Sequence, residues 1–382
     1  MLKGRIELLE KYMVKNQFKG HDPYDGLMSP LFKLPFLRSN HTLRFLSQQL
    51  IKRSPFNLRP FLLIQPGENP VTLGLSLQAY TKLIEADSVQ QNYYEAQIDY
   101  LLSRLEFLSD KTYHGDCWGY DFDWAARHTS IPAYKPTVVA TGIIVNALFL
   151  YYQHNPNPRV KKLILSSADF VLKDLYRTID SENDICLSYS PFDKQIVFNA
   201  SLKGSRLLAQ CYYLTKDLEY LEIAKRTMSF VMKNQREDGA WVYSKSKEGG
   251  WVDNYHTGYV LDCAKEYSQL TGDIGFNQQI QTGFEYYLRH FFLDSGMPKF
   301  YDKETYPIDC TSAAQSILTL VKFNQNELAD KVANWMMKEM QAPEGYFYFR
   351  KFKHHTERQS FMRWSNGWMF AALATLLKTH EN

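Results

Sequence analysis

The stretch GGWVDNYHTGYVLDCAKEY (249–267) decides how this chain is read. From Tyr259 onward, Val260, Cys263, Ala264 and Tyr267 recur at helical spacing. Just ahead of them, Trp251, Asp253, Asn254, Tyr255 and His256 fall within six positions. These side chains stack, hydrogen-bond and carry protons. So much chemistry at one helix start needs an explanation.

The explanation begins with repetition. Related stretches are ENPVTLGLSLQAYTKLI (68–84), YKPTVVATGIIVNALFLYY (134–152), VFNASLKGSRLLAQCYYLT (197–215), YPIDCTSAAQSILTLVKF (306–323) and RWSNGWMFAALATLLK (363–378). Each opens on polar or proline residues and continues as a helix rich in small side chains and leucine. With Asn69, Thr137, Asn199, His256, Thr311 and Asn366 as markers, the gaps are 68, 62, 57, 55 and 55 residues. Between them lie amphipathic stretches such as VKKLILSSADFVLKDLY (160–176), with one apolar stripe and one charged face. Helices apolar nearly all round belong inside, and amphipathic ones outside. Six such hairpins closing on themselves predict an all-α (α/α)6 toroid with short hairpin-like loops at one end. An open solenoid is the structural alternative. The ring makes residues 1–382 a single domain, with 1–65 as a partly irregular N-terminal segment.

Composition narrows the function. The chain has 382 residues, 45% apolar and 22% charged, with a net charge of +3. That charge is too small for nucleic acid as a main partner, and there is no basic tail. One basic apolar patch, RFLSQQLIKRSPFNLRPFLLI (44–64), suits a membrane surface or an acidic polymer; its plainer reading is a surface helix and a connector. No stretch approaches the length of a membrane span, and MLKGRIELLEKYMVK (1–15) has no apolar signal core, so a cytoplasmic location is expected. The five cysteines are scattered and read as reduced thiols. Twenty-six tyrosines exceed what core packing requires.

In a ring, all loops leading into inner helices arrive at one end of the central hole. Residues distant in sequence therefore converge there, beside helix N-termini that favour an anion. The expected set is Trp118, Tyr120, Asp121, Asp123, Trp124, Arg127 and Lys135 from the second unit, and Asn199 and Lys203 from the third. Trp251, Asp253, Asn254, Tyr255 and His256 come from the fourth, Tyr301, Tyr306 and Asp309 from the fifth, and Tyr348, Arg350, Arg363 and Trp364 from the sixth. Plainer roles exist for several. Asp253 and Asp309 suit N-caps, Asp121 suits a pair with Arg127, and the aromatics suit a core under the loops.

Aromatic faces beside carboxylates and arginines suit sugar rings. Arg127, Arg350 and Arg363 are placed to hold a carboxylate in two-pronged fashion, which points to an acidic sugar such as a uronate. His256 with a tyrosine such as Tyr255 fits a lyase or epimerase; two carboxylates such as Asp121 and Asp253 fit a hydrolase, with Asp309 a further candidate. The residues alone leave both open. Cys117, Cys186 and Cys310 lie near the loop end with His256, but match no compact zinc pattern. No metal and no cofactor is expected, and no nucleotide-binding glycine loop is present.

The repeats resemble the α/α-toroid superfamily, which includes terpenoid cyclases, prenyltransferase β-subunits, sugar 2-epimerases, unsaturated uronyl hydrolases and polysaccharide lyases. NQREDGAWVY (234–243) is similar to the Q-x-x-D/E-G-x-W element of squalene-type cyclases. The cyclase D-x-D-D acid motif is absent: Trp124 follows Asp121 and Asp123. The prenyltransferase D-x-C pattern also fails, since Asp309 and Cys310 are adjacent. A closer resemblance, over about residues 66–378, is to toroid proteins of bacterial polysaccharide-synthesis loci. CWGYDFDW (117–124), WVDNYHTGYVLD (251–262), YPIDCTSAAQ (306–315) and RWSNGWMF (363–370) carry it. It implies a carbohydrate setting and specifies no reaction. The expectation is thus an enzyme doing acid/base chemistry on an acidic oligosaccharide or glycan. A glycan-binding scaffold would instead line an open groove. A cyclase-like or prenyl-group enzyme would show a deep aromatic cavity with few cations.

Overall fold

A computed structural model describes residues 2–126 and 129–381. The chain opens with α1 (Leu2–Lys15), then α2 (Pro35–Ser39) and α3 (His41–Arg53). The hairpins follow: α4 (Pro70–Ala86) with α5 (Gln91–Leu108), and α6 (Val138–His154) with α7 (Pro158–Lys173). Next are α8 (Phe198–Thr215) with α9 (Leu218–Lys233), and α10 (Asn254–Thr271) with α11 (Asn277–Phe291). The last elements are α12 (Cys310–Lys322), α13 (Asn326–Glu339) and α14 (Trp368–His380), the last entered through a π-helical turn at Met362–Gly367.

Neighbour relations close the ring. α4 packs on α6, α6 on α8, α8 on α10, α10 on α12, α12 on α14, and α14 back on α4. The fold is an (α/α)6 toroid. Five of the outer positions are α5, α7, α9, α11 and α13, each packed on its preceding inner helix. The sixth is α1, which packs on α14, so the two ends of the chain share one hairpin. The sequence pattern did not supply this partner, because α1 lies outside the inner-then-outer order of the other five. The rest of residues 16–65 is α2, α3, 3-10 turns and irregular chain.

Inner helices approach closely where side chains vanish. A Cβ on Gly74 of α4 would stand 2.9 Å from Ile144 Cγ1 of α6; one on Gly258 of α10 would stand 2.8 Å from Gln315 Cγ of α12. The N-terminal ends are satisfied by side chains, with Asn69, Thr137, Asp253 and Asp309 each accepting a backbone N–H of its own helix. The cap roles of Asp253 and Asp309 are therefore real.

Long loops join each outer helix to the next inner one and gather at this end. They carry β1 (Trp124–Ala125) with β2 (Ser130–Ile131), and β3 (Arg177–Asp180) with β4 (Ile185–Leu187). β5 (Ile308–Asp309), β6 (Tyr348–Lys351) and β7 (Thr356–Ser360) form a three-stranded sheet. Leading segments also bridge to the following loop, Val197 to Ser244 and Asp253 to Tyr301, which ties the loops into a collar. All five cysteines are buried free thiols. Among the described residues no helix is long and apolar enough to cross a membrane.

The close approach at Gly74 gives the first prediction. Gly74→Val forces the α4–α6 crossing apart and lowers unfolding free energy by about 1–3 kcal/mol in urea denaturation. Gly4→Ala, with nothing within 4 Å of the added carbon, is neutral or slightly stabilising.

Candidate active site

The collar encloses a cavity of about 820 Å³, counting its open mouth, at the N-terminal ends of the inner helices. Its chemistry is built outward from α10. Asp253 caps the helix by accepting the His256 N–H at 2.9 Å, and its other oxygen lies 2.6 Å from His256 Nδ1. Trp251 Nε1 donates to that same oxygen at 2.9 Å. Asp253 is thus fully engaged and buried behind the imidazole. His256 Nε2 has no hydrogen-bond partner among the described residues, and the ring lines the cavity. A carboxylate on Nδ1 fixes the tautomer that leaves Nε2 as the proton acceptor.

Aromatic rings surround the imidazole. The Tyr255 ring lies 3.9 Å and the Tyr243 ring 4.5 Å from it, centroid to centroid, and Trp251 stacks on Tyr243 at 4.7 Å. Burial raises the phenols of Tyr243, Tyr255 and Tyr259 well above the ordinary tyrosine range, so they stay protonated at neutral pH. Another part of the wall comes from the CWGYDFDW loop. Tyr120 and Phe122 stack at 5.4 Å, and Trp124 meets Tyr189 at 5.3 Å. Trp364, Trp368 and Tyr24 complete the lining.

Eight predicted residues meet here: Tyr120, Trp124, Asn199, Trp251, Tyr255, His256, Arg363 and Trp364. Others serve elsewhere. Trp118 is a core residue, its Nε1 donating to Leu105 O at 2.7 Å. Asp121 and Asp123 alternate with the cavity-facing rings and turn away: Asn69 Nδ2 donates to Asp121, and Arg44 and the Ala133 N–H donate to Asp123. Lys135 pairs with Asp110, and Asn254 binds Lys299 O, Tyr287 and Ser316. Asp309 is sealed by Arg350 Nε at 2.7 Å, the Ser312 N–H and Trp364 Nε1, so neither Asp309 nor Arg350 reaches the cavity. Tyr301 borders a separate shallow groove, while Tyr306 and Tyr348 pack against the core. Arg127 lies outside the described residues.

Arg363 does reach the wall, but its two-pronged edge is taken. Nε and Nη2 donate to the Asp22 carboxylate at 2.7 and 2.9 Å, and both residues are buried. The carboxylate that it grips is the protein's own.

Sequence reading missed Tyr24, Phe122, Tyr189, Tyr243, Tyr259 and Trp368. Tyr259 and Trp368 stand one helical turn below Tyr255 and Trp364, so the i+4 rule was the available signal. With Ile143 they form a waist; the Tyr259 and Trp368 rings are 5.5 Å apart. Below it lies a second chamber of about 780 Å³, lined by Lys203, Arg206, Asp262, Glu266 and Lys322 among others. Burial would raise the Glu266 pKa, but Lys322 and Arg206 overcome it and bring it to about 2. Lys203 has no carboxylate within ion-pair distance among the described residues and lies 3.9 Å over the Tyr259 ring; burial lowers its ammonium to about 8.

Among the described residues, no three His, Cys, Asp or Glu side chains group as metal ligands do. Cys117, Cys186 and Cys310 instead contact Asp110 O, Ser201 and Ser365 O respectively.

No known protein-family profile and no curated protein sequence matches the chain. Solved structures do. The cellobiose 2-epimerase of Bacillus thermoamylovorans superimposes with a TM-score of 0.64 at 12% identity, over 82% of this chain and 88% of that one. A family 76 glycoside hydrolase (mannosidase) of Bacteroides thetaiotaomicron gives 0.61 at 11%, over 99% and 98%. A family 88 glycosyl hydrolase of Bacteroides vulgatus gives 0.54 at 11%, over 81% and 93%. At these identities the likeness establishes the toroid and nothing finer.

Burial, then the charge of Asp22, pushes the Asp121 carboxyl up to about 7 from an ordinary 3.8. The folded state therefore holds a proton that the unfolded chain has released. Stability from this group is full below the unfolded value and falls as pH rises through about 7. Asp121→Asn should remove that loss, so denaturation curves from pH 4 to 8 fall less steeply with pH than in the wild type.

Proposed function

We propose that this cavity is the active site of a carbohydrate-active enzyme that moves a proton at a sugar carbon, as an epimerase or lyase does. The Asp253–His256 pair, with Nε2 open to an aromatic cavity, carries the reading. Nε2 accepts the carbon-bound proton. Inversion at carbon needs a second group that returns a proton to the opposite face, and the protonated phenols of the lining are the donors at hand. Asp253 is a positioning residue: it orients the imidazole and stabilises the imidazolium that forms. Trp251, Trp364 and Tyr120 offer faces for the C–H side of a pyranose. The structural neighbours, an epimerase and glycoside hydrolases, support the carbohydrate-active class.

Three alternatives fare less well. Hydrolysis with paired carboxylates needs two acids facing one bond, and no carboxylate lines this cavity among the described residues. Terpenoid cyclisation suits the aromatic lining, but begins with an acid stronger than imidazolium, and the same absence counts against it. A glycan-binding scaffold has no need of an oriented, buried Asp–His pair. The substrate charge also shifts. Two of the arginines expected to hold a uronate are each matched to an internal aspartate, so the cavity favours a neutral sugar, whose acidic carbon-bound proton is the one beside the carbonyl of its open-chain reducing end, and epimerisation is favoured over elimination.

The test is deuterium exchange into a panel of neutral and acidic oligosaccharides, followed by NMR in D2O. Wild-type protein should introduce deuterium at one ring carbon of its substrate. His256→Ala should slow this by roughly 10²–10⁴-fold with little change in melting temperature, and Asp253→Asn should lower kcat more than it raises KM. Exchange at the wild-type rate in His256→Ala would remove the imidazole from the chemistry.

A further inference from the structure

Residues 26–67 contain six Lys and Arg and no Asp or Glu. The same segment carries unusual apolar exposure. Nine of the 22 exposed large apolar side chains among the described residues lie between Met28 and Leu63. Phe36, Phe56 and Phe61 are 70, 75 and 84% exposed. On α3, Leu46, Leu50 and Arg53 fall at i, i+4 and i+7, one outward stripe. A single exposed leucine needs no explanation; this density does.

The inward side of the arm is fully committed. Arg44 pairs with Asp123 at 2.7 Å, Gln48 Nε2 donates to Tyr24 O and Asp123 O, and Lys52 donates to the Tyr24 hydroxyl. Arg59 binds Asp25 at 2.8 Å. Tyr24 and the neighbouring Trp124 are cavity walls. The arm is therefore part of the active-site collar, with its free side turned outward. Lys33, Arg38 and Arg53 are exposed and have no carboxylate within ion-pair distance among the described residues.

We infer that this arm docks the protein on an anionic lipid surface and holds the cavity collar against it, so that the sugar taken is one presented at a membrane. The chemistry is that of an interfacial amphipathic segment: phenylalanine and leucine enter the headgroup boundary while lysine and arginine meet lipid phosphates. Charge complementarity selects the occupant. Six lysines and arginines without an Asp or Glu give the segment one sign of charge, which an anionic bilayer complements and a protein surface of mixed charge does not. The docking stands on the arm alone; the membrane-borne sugar rests on the function proposed above.

The experiment is co-sedimentation of the full chain with vesicles of phosphatidylcholine, with and without a minority of phosphatidylglycerol. Wild-type protein should sediment with the anionic vesicles and be released by high salt. Lys33→Glu, Arg38→Glu and Arg53→Glu together should weaken partitioning roughly 100-fold. Phe36→Ser, Phe56→Ser and Phe61→Ser together should abolish it, with turnover of a soluble sugar unchanged. Equal binding to neutral vesicles overturns the anionic surface as the occupant. A wild type that ignores vesicles, but whose dimer is dissolved by the phenylalanine variants, overturns the proposal in favour of a protein interface. Vesicle binding is read without substrate, so it survives a failure of His256 in the exchange assay, and the exchange assay survives a failure of docking.

Discussion

Close approach of six helices around one axis is the constraint from which the rest follows. A ring of inner helices leaves little space at its crossings, so glycine stands at several of them, as Gly74 against Ile144 and Gly258 against Gln315 do. Where the crossings are tight, the side chains that point to the axis must fill it, and Ile143, Tyr259 and Trp368 make the waist. The waist divides the hole into an aromatic cavity above and a charged chamber below. Neither chamber would exist in an open solenoid, because the sixth inner helix would not face the first. Closure also fixes the direction of every inner helix. Their N-terminal ends meet at one mouth, which is where α10 presents His256 and the Asp253 that caps it.

Charge at that mouth is settled by pairing rather than by solvent. Arg363 is held by Asp22 and Arg350 by Asp309, each across elements distant in sequence. A buried ion pair is costly to break from one side, because the remaining charge has no water. These pairs therefore pin the arm and the β5–β6 strands in place. They also neutralise the wall, which leaves His256 Nε2, without a hydrogen-bond partner among the described residues, facing a largely aromatic lining. The same residue types that looked like a uronate grip in sequence thus serve to remove charge from the cavity. The change of sign in that argument came from Asp22, whose place in the fold no periodicity announced.

The ring was legible because its cause is local. Small-residue helices alternate with amphipathic ones, and both periods survive in the sequence as packing demands. The convergence of Trp251, Tyr255, His256, Trp364, Tyr120 and Trp124 followed from that ring. What failed to show was pairing between repeats. Asp309 reads as a free acid until Arg350 is seen across the strand pair, and Asn254 reads as a binding group until Tyr287 and Ser316 are seen around it. Sequence spacing fixes which face of a helix a residue occupies. It does not fix which charge another loop brings to it. Lys203 is a further case: its register placed it near the site, but one more turn down α8 puts it beneath the waist.

The N-terminal arm is the one large part of the chain outside the repeat, and its position bears directly on the chemistry. The residues that lead into it carry Tyr24 to the cavity wall and Asp22 to Arg363. Among the described residues Asp22 is the only carboxylate within ion-pair distance of that guanidinium. With the arm seated, the guanidinium is spent and the cavity suits an uncharged ring. With the arm displaced, the same guanidinium would face the cavity unmatched, and a carboxylate or phosphate would become the favoured ligand. The arm therefore sets both the shape and the charge of the site, and whatever engages its outer apolar side bears on both through Arg44, Gln48, Lys52 and Arg59.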